Sequence, residues 1–277
     1  MTVFLWMLGT LSSFCLMAVG VRELSGEIHT FQMLFFRSVI GLLVIASILF
    51  LRKQTELVKT QRLKLHSTRN VFHFFGQFGW FIGIALMPLA NVFALEFTAP
   101  IWTLLIAAIF LGESLTRKKV TSLVLALVGV LIILKPGSEL FNPVSFVVLM
   151  AAFSYAVSYV STKALTSTEH VLTILFFMNL IQLPMSLPFA YYYWVTPDSM
   201  QWAWLAVIGM TALTAHFCMT HAMKLADASA VVMMDFLRLP LIIVVGVILY
   251  QEAFEVSVLV GAGLMLLANL INVSKRR

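Results

Sequence analysis

Asp235 and Arg238 stand near the middle of residues 226–252, ADASAVVMMDFLRLPLIIVVGVILYQE, a run long and apolar enough to cross a bilayer. An ionised side chain at the centre of hydrocarbon costs roughly 2.5–3.5 kcal/mol on insertion scales, so both must face protein or water rather than lipid. Pro240 removes a backbone donor from the same run. Three residues apart on a helix, Asp235 and Arg238 share a face and can pair directly. Such a pair locks the segment against a neighbour. Facing a cavity, Asp235 can instead exchange a proton or hold a substrate amine.

Two further ionisable residues interrupt apolar runs. Arg37 lies in LFFRSVIGLL, and Glu96 precedes Pro100 in FALEFTAPIWTLLIAAIFLGE. Arg37 has three readings: it snorkels to the outer headgroups, pairs structurally with Glu96, or presents its bidentate fork to a carboxylate or phosphate. Pro100 and Pro240 free backbone carbonyls one turn earlier, which serves a packing kink and also a hinge. Gln77 and Trp80 are spaced for one helix face, as are Tyr155 and Tyr159, with Ser154 and Ser158 beside them, and Asn179 and Gln182. Each pair suits interhelical hydrogen bonding. Taken together, rings and amides suit an aromatic, heterocyclic or amino-acid-like solute.

The elements that must position these groups are membrane spans. Of 277 residues, 61% are hydrophobic and 11% charged, against about 25% charged in an average soluble domain. Continuous rather than alternating apolar runs argue for helices, not a β-barrel. Ten spans are expected, at 3–21, 30–51, 70–87, 90–111, 118–135, 143–163, 170–194, 201–222, 226–250 and 254–273. Residues 51–70 read as the longest loop, and the first run reads as a retained helix rather than a signal peptide. Tyr191, Tyr192, Tyr193 and Trp194 close the seventh span as an aromatic belt.

An even number of spans places both termini on one side. That side collects Arg52, Lys53, Lys59, Arg62, Lys64, Arg69, Arg117, Lys118, Lys119, Lys163, Lys224, Lys275, Arg276 and Arg277, against Arg22 and Lys135 opposite. The bias predicts cytoplasmic termini. Lys135-Pro136-Gly137-Ser138 divides the chain into 1–137 and 138–277. Span four and span nine (MMDFLRLPLIIVVGVILYQE) each carry an acid, then a proline, then an apolar run closed by Glu113 or Glu252. LFFMNLIQLP in span seven likewise echoes LFFRSVIGLL in span two. Five spans per half is odd, so the second copy enters from the opposite face. Paired proline-interrupted helices in an inverted repeat point to a binding site at the repeat interface.

Several of these pieces, in order, resemble the EamA-type branch of the drug/metabolite transporter superfamily: FFRSVIGLL, MPLANVFALEFTAPIW with its closing LGE, LVGVLIILKPG, MKLADASAVVMMDFLRLP with its closing QE, and VGAGLMLLANL. The resemblance covers nearly the whole chain. It implies an all-α membrane protein of ten helices in two inverted five-helix repeats around a central cavity, moving small metabolites across a bacterial inner membrane. Members handle amino acids, purine derivatives, riboflavin and S-adenosylmethionine. The DFLRLP variant is most similar to proteobacterial members, some described as S-adenosylmethionine importers.

Other classes find little support. No Walker A pattern is present, and His73, His216 and His221 lack the H-E-x-x-H spacing of a metal set. Cys15 and Cys218 lie inside apolar runs, away from any disulfide framework. The basic residues sit in short loops rather than a nucleic-acid patch. The expectation is therefore a secondary transporter, not an enzyme, with no cofactor or metal, driven by protons or a counter-solute and acting as a monomer or homodimer. Arg37, Gln77, Trp80, Glu96, Tyr155, Tyr159, Asn179, Asp235 and Arg238 are its expected substrate contacts, with Pro100 and Pro240 as hinges. An exporter of amphipathic or heterocyclic compounds is the alternative, and a non-transporting scaffold a further one.

Overall fold

The computed structural model describes residues 2–134, 143–251 and 256–273. Among the described residues all regular structure is helical: α1 (Thr2–Leu24), α2 (Thr30–Leu51), α3 (Leu63–Leu86), α4 (Leu89–Glu96), α5 (Ala99–Leu111), α6 (Arg117–Leu134), α7 (Pro143–Leu165), α8 (Val171–Tyr192), α9 (Ser199–Leu225), α10 (Ala228–Met234), α11 (Arg238–Tyr250) and α12 (Val256–Val273). Hydrocarbon offers no hydrogen-bond partner to a free backbone, which is why the apolar runs resolve as helices. Among the described residues six segments are long and apolar enough to cross a membrane: α1, α2, α7, α8, α9, and α10 with α11. The expected breakpoint at 135–138, together with Glu252, Lys275, Arg276 and Arg277, lies outside the described residues.

The fourth and ninth expected spans are each divided. α4 ends at Glu96 and α5 begins at Ala99, with Pro100 in its first turn. α10 ends at Met234, a single 3-10 turn covers Asp235–Leu237, and α11 begins at Arg238 with Pro240 close behind. Neither proline therefore kinks a continuous helix. Each sits near a helix start, where its missing N–H is an orphan in any case. The regular α-helix is interrupted beside Glu96 in one segment and at Asp235 in the other. Both C-terminal pieces run 13 residues and end on a left-handed residue, Gly112 (φ 67) or Gln251 (φ 54).

A second matched feature is the cap before α2 and α8. His29 Nδ1 accepts from Phe31 N at 3.3 Å, and His170 Nδ1 accepts from Leu172 N at 3.2 Å. Burial lowers the His29 pKa, which keeps that nitrogen an acceptor at neutral pH.

The third helix departs from expectation. It starts at Leu63 rather than 70, and a short 3-10 turn spans Thr55–Val58 in the stretch expected as loop. His66, Arg69 and Asn70 are consequently buried in α3, and Arg69 leaves the set of loop cations. Polar residues hid the helix because their partners are distant: Arg69 Nε donates to Thr162 Oγ1 at 3.1 Å, and Arg62 donates to Ala164 O at 2.9 Å.

Packing follows an exchange pattern. α1 runs along α9, and α3 along α7; α2 faces α8, and α6 faces α12. Small residues let these pairs approach closely. A Cβ on Gly76 would lie 2.9 Å from the Tyr155 ring, whereas one on Gly263 meets nothing within 4 Å. Cys15 and Cys218 are free and buried, and Tyr191 and Tyr192 are exposed at the end of α8. Gly76→Ala should displace Tyr155 and lower stability by about 1–3 kcal/mol, while Gly263→Ala should be neutral. Thermal unfolding of both variants in detergent checks the contrast, and equal melting temperatures would contradict the α3–α7 packing.

Candidate functional site

The broken helices deliver their ionic groups to one place. Arg238 Nη2 lies 2.7 Å from Glu96 Oε1 and 2.7 Å from Asp235 Oδ2. Trp80 Nε1, from α3, donates to the other Glu96 oxygen at 2.7 Å. The guanidinium stacks over Phe93 at 4.7 Å, Phe14 at 4.9 Å and Phe97 at 5.8 Å. All three ionic residues are at most 4% exposed. The expected Asp235–Arg238 pair thus forms, with Glu96 as a second carboxylate from the other half of the chain.

Tyr155 and Tyr159 stack at 5.9 Å on α7 and face this cluster. Together with Gln77, Trp80, Glu96, Arg238, His216, Phe14 and Met17 they line a small internal cavity. Its volume is about 10 Å³, the least that holds one water. Among the described residues, the void beside the ionic cluster is therefore too small for a metabolite. The side chains have closed on one another because they satisfy each other: rings cover the cation, and two carboxylates neutralise it.

Arg37 does not reach Glu96. Its Nη1 donates to Gln77 Oε1 at 3.2 Å and Gln182 Oε1 at 3.1 Å, and it is 1% exposed. Both the snorkelling reading and the Glu96 pairing are thereby excluded here. Asn179 is also placed elsewhere. Its amide donates to Leu175 O at 2.8 Å, and its side chain packs on Gly41, between α8 and α2.

Sequence reasoning missed Arg69 and Asn70 as interior groups. With α3 beginning at Leu63, Arg69, His73, Gln77 and Trp80 recur at helical spacing along one buried face. That stripe was the available signal, obscured by treating residues up to 70 as loop. It meets α9 where the His73 and His216 rings contact edge to face at 4.6 Å. Among the described residues no group of His, Cys, Asp or Glu could hold a metal ion.

A separate ionic cluster ties the two halves at one end of the bundle. Glu113 Oε1 accepts from Ala228 N at 2.7 Å, and its other oxygen accepts from the Ser229 hydroxyl, capping α10. Lys119 bridges Glu113 at 3.3 Å and Asp227 at 2.8 Å.

A profile of the EamA-like transporter family matches residues 1–135 and again 142–274. The chain belongs to the EamA-like transporter family. It is a multi-pass membrane transporter and not an enzyme. It is 29% identical over 265 residues to an S-adenosylmethionine uptake transporter of Rickettsia felis, covering 96% of this chain and 90% of that one. A riboflavin transporter of Brucella anthropi is 29% identical over 246 residues, with 85% of each chain covered. The pseudopaline exporter CntI of Pseudomonas aeruginosa is 26% identical over 258 residues, covering 92% and 90%. One crystal structure superposes with a TM-score of 0.80 at 16% identity, over 98% of this chain and 96% of that chain, a likeness of fold alone.

Removing one member of a buried ionic cluster leaves uncompensated charge and costs about 3–5 kcal/mol, whereas replacing the whole set is often neutral. Arg238→Met should therefore destabilise the EamA-family fold by that amount. The triple variant Glu96→Gln, Asp235→Asn, Arg238→Met should recover most of it. Tryptophan-fluorescence melting of both is the measurement, and equal losses would show that packing rather than charge holds the region.

Proposed function

We propose that this chain is a secondary active transporter that carries a small polar metabolite, such as an amino acid or S-adenosylmethionine, across a bacterial inner membrane by alternating access. The observation that carries the reading is Arg238 held between Glu96 and Asp235, one acid at the helix break of each half. Inverted-repeat transporters place discontinuous helices at the substrate site for this purpose: exposed backbone and charge are tolerated only where they line a pathway. The architecture proposed is ten spans in two inverted five-helix repeats, residues 1–137 and 138–277, with both termini cytoplasmic. The two family matches support it. So does the exchange pattern, since the first helix of each half packs on the third of the other, while the second and last pair with their counterparts.

Substrate contacts in this reading come from Gln77, Trp80, Glu96, Tyr155, Tyr159, Asp235 and Arg238, with Arg37 behind Gln77. The closed cavity represents the occluded arrangement, and the breaks at Pro100 and Pro240 act as the hinges that open it to either side. Asp235 is the proposed coupling group, because its Oδ1 has no hydrogen-bond donor among the described residues and is free to take a proton.

Purified protein in liposomes should accumulate labelled S-adenosylmethionine when the outside is made acidic. Asp235→Asn should abolish that gradient-driven uptake while sparing one-for-one solute exchange. Uptake in the variant with an unchanged pH dependence would remove Asp235 from coupling, and no flux of any amino acid or S-adenosylmethionine would remove the substrate class.

A further inference from the structure

Beyond the ionic cluster, the interior holds two more arginines, Arg37 and Arg69, each 1% exposed and without a carboxylate partner within ion-pair distance among the described residues. Neutral side chains connect them instead. Arg69 Nη1 donates to Asn70 Oδ1 at 2.6 Å. The same oxygen accepts from Gln182 Nε2 at 3.3 Å, and Gln182 Oε1 accepts from Arg37 at 3.1 Å. Arg37 Nε, Gln77 Nε2 and His73 Nε2 are buried beside this chain with no partner. Guanidinium stays protonated under any physiological condition. Isolated buried charge of this kind is strongly unfavourable unless paired, and amide oxygens supply only part of what a carboxylate would.

The charge is distributed in two poles. With both acids ionised, Glu96, Asp235 and Arg238 together carry one net negative charge, while Arg37 and Arg69 together carry two positive ones. Gln77 joins them, since it accepts from Arg37 and lines the cavity with Glu96 and Arg238.

We propose that Arg37 and Arg69, with the amides of Gln77 and Gln182, form an anion subsite that receives the carboxylate end of the transported solute. The cationic end goes to Glu96 and Asp235. This deepens the transport reading above and rests on it. On opening, the solute carboxylate replaces the neutral amide oxygens, and the two guanidinium groups offer it paired N–H donors. Arg69 thereby becomes a recognition residue, whereas its position beside a basic loop suggested only an orientation signal.

The test is thermal stabilisation of the purified full-length protein, because a ligand that binds only the native state raises its melting point. S-adenosylmethionine is compared with its decarboxylated analogue in wild type, Arg69→Gln and Arg37→Gln, the two variants carrying the same comparison should one fail to fold. The glutamine variants should bind S-adenosylmethionine at least tenfold more weakly and the decarboxylated analogue unchanged. Unchanged binding of the carboxylated ligand, or equal weakening of both, overturns the subsite. Acetate and inorganic phosphate, titrated at matched ionic strength against a bulky sulfonate, separate the two readings when S-adenosylmethionine does not bind. Stabilisation of wild type that the glutamine variants lose upholds the subsite while ending the proposed cargo. No stabilisation by either anion ends both.

Discussion

One guanidinium sets the terms for the interior. Arg238 is 2% exposed and has rings stacked against it, so its burial requires compensation, and carboxylates supply it. Asp235 comes from the same segment and Glu96 from the other half of the chain, 2.7 Å away. That requirement brings the break after α4 against the break between α10 and α11. It also recruits Trp80, whose indole N–H occupies the second Glu96 oxygen. The contact is thus ionic, aromatic and topological at once, and the pairing of helices around it follows from where it lies.

Around that fixed point the interior is polar but closed. The cavity of about 10 Å³ shows that side chains bond one another rather than bulk water. Gln77 and Gln182 give Arg37 charge-assisted hydrogen bonds through neutral amide oxygens, without the opposite charge that a carboxylate would bring. Glu113, by contrast, binds two consecutive N-terminal donors of α10 and the Ser229 hydroxyl, with Lys119 behind it. That end of the bundle is braced by carboxylate hydrogen bonds and an ion pair, which tie α10 to the end of α5.

Family membership settles the frame more tightly than the cargo. Relatives named for S-adenosylmethionine, riboflavin and pseudopaline are all between 26% and 29% identical to this chain. Overall identity therefore does not discriminate among solutes. Buried polar groups in general reject a ligand that leaves them unpaired, which is why the proposed cargo rests on the layout of charge in the interior.

Much of this was legible in the sequence. The apolar runs predicted α1, α2, α6 to α9 and α12 to within a few residues, because an apolar run in a membrane must satisfy its backbone by intrahelical hydrogen bonds. The spacing of Asp235 and Arg238 predicted their pairing, since i and i+3 share a helix face. Tertiary structure alone decided the rest. Glu96 joined Arg238 rather than Arg37, although both arginines stood in apolar runs, because only the packing of α4 on α11 brings them within reach. Arg69 is interior with Thr162, 93 positions away, accepting a hydrogen bond from its Nε. The closure of the cavity was equally unreadable, as it depends on how rings and amides from α1, α3, α4, α7, α9 and α11 fill one another's space. Local spacing governs which groups share a face; only the folded bundle determines which faces meet.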